Sequence, residues 1–363
     1  MAKRAGSIPK PEIPEYGKIN KEFFEKVIYP NLGAKRNEIL VGPSVGVDNA
    51  VINVGGGQVL VTSTDPLSYI SELGTEDSAW LSIHSIASDI ATSGFHPQYA
   101  MFDFNLPAGF LSGDFEMYWT ALSKECERLG IAIVGGHTGR FEGIDSTIIG
   151  AGTLFSVGSS RAYLTPAGAM LGDSVIITKG AAIETTGVLS KVFPRRVRQR
   201  IGKDRLAIAQ SYVRKTSVVE DAFTATKVGL KASGVSAMHD ATEGGVLSGV
   251  YELAKAASLG LRVELEKIPI SEETKDICQL FRIDPYVSLS EGTLVFSCNP
   301  ARATDAVALL RGKGINAAIV GELLRPEEGT RLIDAKGEAA PIKYPVADPY
   351  WNAYYRAKKK RWN

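Results

Sequence analysis

Residues 131–140 read IAIVGGHTGR: four apolar residues, two glycines, a histidine, a threonine, a glycine and an arginine. Ile131 to Val134 predicts a buried strand. Paired glycines let a backbone take φ > 0 or approach a ligand closely. The reading is therefore a strand ending at Gly135-Gly136, with His137 and Thr138 projecting from its end. The same style of segment recurs, with a carboxylate beside a glycine, threonine or alanine. It appears as VGVDNAV (45–51), VTSTDPL (61–67), SIASDIATSG (85–94), MHDATEGG (238–245) and SLSEGTLVF (288–296). This recurrence makes the chain readable as alternating strands and helices with chemistry at the strand ends.

The 363 residues are 44% hydrophobic and 22% charged, enough to bury two cores. Net charge is +1, so no global field argues for nucleic acid or a membrane surface as partner. Cys126, Cys278 and Cys298 form no metal spacing, and an odd, sparse count suits a reducing cytoplasm. No apolar run approaches membrane-spanning length. The N-terminus has basic residues without the apolar core of a signal peptide. The expectation is a cytoplasmic protein.

Residues 1–17, rich in Pro and charge, predict a mobile arm. Asn20 to Ile28 predicts a short helix with Asn20 as N-cap. Gly55-Gly56-Gly57 lies between two strand-like runs, and no helix follows, so a hairpin turn is expected rather than a phosphate loop. Helical spacing covers 76–92 and 113–129, the latter stopped by Gly130. The texture resets near Thr165-Pro166, after which DSVIIT (173–178) starts a second set of strands and helices. The domains are therefore read as 18–165 and 166–345, followed by a basic tail at 346–363. The mixture predicts α/β or α+β layering.

A buried Asp on a strand needs a cation or donors to offset its desolvation. Mg²⁺ takes a few carboxylates together with phosphate oxygens and water. Asp48, Asp65 and Asp89, converging from separate elements, are what a Mg²⁺–nucleotide site requires. Asp240, Glu243 and Glu291 repeat the pattern later. Each one alone also fits a bland role: Asp65 before Pro66 as a turn residue, Asp89 at a helix end, Asp48-Asn49 as a bulge. No standard phosphate-loop motif is present, so phosphate binding would rest on loop amides, a helix N-terminus and metal. Lys179 after its strand either neutralises a phosphate or caps the strand in solvent. His84 and His96 read as packing or loop residues. His137 and His239 stand beside glycine-rich segments.

Six of these motifs, in order over roughly residues 17–325, resemble the superfamily of aminoimidazole-ribonucleotide (AIR) synthase, the hydrogenase-maturation protein HypE, selenophosphate synthetase and thiamine-monophosphate kinase. Gly46-Val-Asp48-Asn49-Ala-Val51 resembles its Gly-x-Asp-Asp/Asn-Ala segment, and Thr64-Asp65 its strand-end Thr-Asp. Ser88-Asp89-Ile-Ala91 with Gly94 resembles its helix motif, and Gly135-Gly136-His137-Thr138 its Gly-Gly-x-Thr turn. Asp240-Ala-Thr-Glu243-Gly244-Gly245 resembles the Asp-Pro-Thr-Arg-Gly-Gly of HypE, and Ser290-Glu291-Gly292 the later Asn-Glu-Gly. The resemblance implies a two-domain α/β fold whose N-terminal sheet forms a barrel-like core across a homodimer. It also implies an ATP and Mg²⁺ cleft, with phosphoryl transfer to a small-molecule or carrier-protein acceptor. In that picture Asp48, Asp65 and Asp89 hold metal and phosphate. Asn49, Gly135 to Thr138, Lys179, Gly244 and Gly245 bind nucleotide. Asp65, Asp240 and Glu243 carry the chemistry.

The departures matter. HypE ends in a reactive cysteine, whereas this chain ends KKKRWN and its last cysteine is Cys298. Thiamine-monophosphate kinase has Asp where His137 stands, and HypE typically has Arg where Glu243 stands. Selenophosphate synthetase has a Cys/Sec-and-Lys segment near its start; here Lys18 follows Gly17, with no cysteine near. The nearest likeness is to the AIR synthase-related, HypE-like group. The alternative expectation is a non-catalytic ATP-binding maturation or scaffold protein.

Overall fold

The computed structural model describes residues 13–144, 147–344 and 347–362. Most of the expected N-terminal arm, residues 1–12, lies outside the described residues. Asn20 caps the first short helix, α1 (Lys21–Phe23), its side chain accepting the Phe23 N–H, and a π-type turn continues to Ile28. The first sheet then follows. Its strands are β1 (Ile39–Val41), β2 (Ala50–Gly55), β3 (Gln58–Ser68), β4 (Tyr99–Pro107), β5 (Ala132–Phe141) and β6 (Ile148–Ser159), in the order β1-β2-β3-β6-β4-β5. Gly55, Gly56 and Gly57 turn β2 into β3 with φ of 85°, 60° and 75°, the hairpin expected of them.

Helices α2 (Thr75–Thr92) and α3 (Ser112–Leu129) cover one face of this sheet. Strand β4 alternates buried and exposed residues along its first six positions, as a strand with one packed face must. Its Phe102 and Phe104 join Ile83, Ile86 and Ile90 of α2 and Tyr118 and Leu122 of α3 in one core. α3 is the crossover that lets β4 and β5 pair in parallel. It stops at Gly130, whose φ of 74° gives the left-handed cap.

One expectation changes here. The strand does not end at Gly135. It runs through Gly135-Gly136-His137-Thr138 to Phe141, as the edge of the sheet, in register with Met101 to Pro107 of β4. The glycines serve strand pairing: a Cβ on Gly136 would lie 2.0 Å from the Phe102 carbonyl oxygen, at a φ of 148°. Likewise a Cβ on Gly150 of β6 would lie 1.9 Å from the Asp103 carbonyl.

The second sheet holds β7 (Ser174–Thr178), β8 (Val235–Ala241), β9 (Gly260–Glu264), β10 (Thr293–Cys298), β11 (Ala317–Leu324), β12 (Thr330–Ile333) and β13 (Ala339–Pro341), in the order β13-β12-β9-β11-β7-β10-β8. β8 and β10 are buried along their whole length, which explains their nearly unbroken apolar and small-residue sequence. Helices α6 (Val219–Ala225), α7 (Gly245–Ala256) and α9 (Pro300–Gly312) pack on it, while α4 (Ile183–Val192), α5 (Pro194–Gln210) and α8 (Glu272–Phe281) share a separate apolar cluster. α6 and α9 share one apolar cluster with Ile176 and Phe296, and α7 lies in another with Val175 and Val295.

The C-terminal stretch read as a basic tail is a helix, α10 (Pro349–Lys359). Tyr350, Ala353, Tyr354 and Ala357 fall at i, i+3, i+4 and i+7 and bury against Phe193 and Phe281. The lysines occupy the other face, where Lys358 pairs with Glu72 at 2.9 Å. Among the described residues, no helix is long and apolar enough to cross a membrane.

α2 is the seam between the two halves. Ser88 Oγ accepts the Val218 N–H at 3.0 Å, and His84 Nδ1 lies 2.8 Å from Ser217 Oγ. Asp77 receives Lys191 and Arg214.

Candidate functional site

At this seam β2, β3 and α2 of one half face β8 and α7 of the other across a pocket of about 370 Å³. Asp48 enters from the loop before β2, Asp65 from within β3, Asp89 from α2, and Asp240 from β8. Thr242, Glu243 and Gly244 follow from the β8–α7 turn, and Lys18, Tyr344 and Asp348 close the rim.

The turn is built by glycine. Gly244 and Gly245 have φ of 80° and 65°, and a Cβ on Gly245 would lie 2.7 Å from backbone atoms of Tyr286 and Ser288. The Gly244 N–H donates to Asp348 at 2.8 Å, which ties α10 to this turn. Gly46, with φ of 77°, lets the Asp48 loop pass so close to α7 that a Cβ there would lie 2.7 Å from Glu252 Cβ. Ser63 Oγ donates to the Asp48 carbonyl at 2.9 Å or to Asp89 Oδ2 at 2.6 Å. Asn49 donates to the Asp89 carbonyl at 2.9 Å and to Thr92 Oγ1 at 3.1 Å. Asn49 therefore acts as a brace holding the Asp48 loop on α2.

The site has an excess of negative charge. Burial, followed by Asp65, Asp240 and Asp48, lifts the Asp89 carboxyl well above the usual carboxylate range. Burial also raises Asp65, with Lys18 opposing and Asp48 adding to the rise. Asp240 is pushed up to about 7 by burial and by Asp48, against the pull of His239 and Lys18. Glu291 rises well above its ordinary value through burial and the charges of Asp240, Glu184, Asp89 and Asp65. Desolvation opposes the charge on Lys18, but Asp65, Asp89, Asp240 and Glu243 outweigh it and hold its pKa above the ordinary lysine value. Lys18 donates from Nζ to Thr242 Oγ1 at 3.0 Å and from its backbone N–H to Glu243 at 2.9 Å.

Asp48 Oδ2, both oxygens of Asp240 and Glu291 Oε1 are buried with no hydrogen-bond partner among the described residues. Orphaned buried carboxylate oxygens are costly unless a cation or a proton reaches them. Asp48, His239 and Asp240 bring ligand atoms within 4.8 Å of one another. His239 already has both ring nitrogens engaged, Nδ1 with Asp48 at 2.6 Å and Nε2 with Glu252 at 2.9 Å. The open ligand atoms are thus carboxylate oxygens, the donor set that suits Mg²⁺.

Of the residues expected from the sequence, Asp48, Asp65, Asp89, Asp240, Glu243 and Gly244 line this one pocket. Asn49 and Gly245 support its walls. Gly135, Gly136, His137 and Thr138 do not line it; they lie exposed on edge strand β5. Lys179 does not line it either: Nζ donates to Asp221 at 2.6 Å, and to the carbonyls of Ser217 and Gly292 at 2.7 Å each. Sequence reading passed over Glu252, Tyr344 and Asp348 as site residues. Glu252 sits among ordinary helix positions of α7, and Tyr344 and Asp348 follow a stretch without periodicity. Lys18 carried a usable signal, since Gly17-Lys18 directly follows the Pro-rich segment.

Two α/β halves meeting over an acid-lined cleft at the foot of a glycine-braced turn define a class of two-domain proteins. Within that class the chain belongs to the AIR synthase related protein family. Residues 46–157 match its N-terminal domain and residues 171–333 its C-terminal domain. Carbamoyl dehydratase HypE of Cupriavidus necator is 25% identical over 304 residues, covering 80% of each chain. The crystal structure of Escherichia coli HypE superposes with a TM-score of 0.68 at 24% identity, covering 80% of this chain and 87% of that one. A HypE structure solved in complex with ATP gives 0.64 at 20% identity, covering 90% and 92%. The two-domain fold implied by the resemblance is thereby shown.

Proposed function

We propose that the chain is an ATP- and Mg²⁺-dependent enzyme that activates a small-molecule or carrier-bound acceptor by phosphoryl transfer. The observation that carries this reading is the set of orphaned carboxylate oxygens of Asp48 and Asp240 beside Asp65 and Asp89. Relatives named as carbamoyl dehydratases, and one solved with ATP, support it. Bound Mg²⁺ would neutralise phosphate charge, held by Asp48, Asp65 and Asp89 with Asp240 at hand. Phosphoryl transfer needs mainly positioning and charge neutralisation, which carboxylates, Lys18 and backbone amides can supply.

Within this reading Lys18 meets phosphate oxygens, and Asp240 and Glu243 face the acceptor. An Asp240 carboxyl with a pKa near 7 can hold or release a proton at neutral pH. Gly135 to Thr138 can share in nucleotide binding only if a second copy brings its β5 to the site. A homodimer is supported by the open face and edge of the first sheet, where Met101, Val134, Phe141 and Ile148 are exposed. Calorimetry with ATP and Mg²⁺ tests the proposal. Tight, metal-dependent binding that Asp65→Asn weakens is expected; absence of binding overturns the nucleotide reading.

A second reading, a non-catalytic ATP-binding maturation or scaffold protein, is favoured by one observation. All three cysteines are buried, and α10 carries none. It predicts ATP binding without phosphate release in the presence of candidate acceptors. Single-turnover transfer of phosphate rules it out.

A further inference from the structure

On the other side of Lys179 lies a larger cleft of about 770 Å³, bounded by α2, the end of α3 and the segments 212–221, 269–271 and 314–316. Part of its wall is apolar, formed by Trp80, Ile183, Tyr212, Pro269, Ile270 and Ile315, and the rest carries charged and polar side chains. A volume of this size that sets an apolar wall beside polar groups is typical of a small-molecule site. Nothing in the proposed phosphoryl-transfer site uses it.

Of the cations in this cleft, one is left without an acid among the described residues. Lys179 spends all three of its donors on Asp221, Ser217 and Gly292. Arg128 is paired with Glu125 at 2.8 Å and Arg214 with Asp77 at 2.7 Å. Their guanidinium carbons stand 4.7 and 5.0 Å from the Trp80 ring centroid, and His84 stacks on that ring at 3.7 Å. Lys215 has no ion pair among the described residues; its ammonium rests 3.9 Å over the Tyr212 ring. Desolvation and the neighbouring Lys179 hold the Lys215 pKa below its ordinary value, as befits a cation short of counter-charge. The Trp80 Nε1–H also lacks an acceptor among the described residues, but it is sealed in the packing, out of an occupant's reach. The lining holds four cationic side chains, Arg128, Lys179, Arg214 and Lys215, against two carboxylates, Glu220 and Asp221.

We propose that this cleft binds a small molecule with a planar apolar body and a single anionic group, the anion on Lys215. The body would lie between the aliphatic wall and Tyr212. The inference does not depend on the phosphoryl-transfer reading, because no residue lines both clefts. Lys179 nevertheless joins them physically: it holds the Gly292 carbonyl, next to Glu291 at the acid-lined site.

The test is calorimetric titration of the full chain with 1-naphthalenesulfonate. One site per chain is expected, with affinity that falls as ionic strength rises. Lys215→Ala should weaken binding by about tenfold or more while its thermal melt matches the parent. Saturating ATP with Mg²⁺ should leave probe affinity within a few-fold. No binding, binding indifferent to Lys215→Ala, or competitive displacement by ATP overturns the proposal.

Discussion

His239 Nδ1 stands 2.6 Å from Asp48 Oδ1, joining strand β8 of the second half to the loop that carries the first acid of the site. The other ring nitrogen meets Glu252, which also accepts from the Tyr344 hydroxyl at 2.7 Å. Burial disfavours a charged ring, but Asp48 and Glu252 outweigh it and hold the His239 pKa well above the usual histidine value. The ring is therefore an imidazolium between two carboxylates. Removing it leaves two buried anions without their counter-charge, and such losses cost about 3 kcal/mol or more. His239→Gln should lower the denaturation midpoint accordingly. A raised folded pKa means that the imidazolium's contribution is complete below the ordinary value of 6.5 and fades as pH climbs through the folded one. The gap between parent and variant in urea should therefore be widest at acid pH. A gap that widens with alkali would show that the ring is neutral.

Lys18 feels the charge of four acids of the pocket, Asp65, Asp89, Asp240 and Glu243. Taking it away makes the pocket more negative. Lys18→Ala should therefore weaken ATP by about tenfold while leaving Mg²⁺ alone bound as tightly or more so. Parallel calorimetric titrations with the nucleotide and with the bare metal separate the two effects. Equal losses for both would mean that Lys18 only shapes the pocket.

The acids of the site were readable from sequence because each breaks an apolar pattern. Asp65 interrupts strand β3 and Asp240 sits near the end of buried β8, so desolvation alone marks them. The strand and helix order of both halves was readable from periodicity, as was the hairpin at Gly55 to Gly57. Three features were not. The lysines of 358–360 masked the apolar stripe of α10, whose burial depends on α4, α5 and α8. Lys179 looked like a free strand-end cation because its partners, Asp221 and the Ser217 and Gly292 carbonyls, are distant in sequence. Gly135-Gly136 looked like a strand end because glycine required by close strand pairing and glycine required by a turn look alike in one sequence.

That last ambiguity can be resolved by substitution. A Cβ on Gly136 would meet the Phe102 backbone at 2.0 Å, whereas one on Gly135 would meet the mobile end of Met101 at 3.3 Å. Gly136→Ala should break the β4–β5 register and be recovered poorly or melt far lower. Gly135→Ala should fold with a melting temperature close to the parent. If the pair instead formed a free phosphate loop, both variants would fold alike and lose only nucleotide affinity.

Glu184 offers a pH test at a residue that is not itself a proposed metal ligand. It lies in the first turn of α4, and burial with the charges of Asp348 and Glu243 pushes its carboxyl up to about 8 from 4.5. The folded state therefore keeps a proton that the unfolded chain releases. The sign follows directly: stability from this group is full below pH 4.5 and is lost as pH rises toward 8. Glu184→Gln keeps the shape and removes the ionisation. The variant should melt higher than the parent at pH 8, by several degrees, and the advantage should shrink to nothing on the acid side. Differential scanning calorimetry across that range reads it. A variant less stable than the parent at pH 8 would mean that the Glu184 carboxylate is held by a cation in the folded protein.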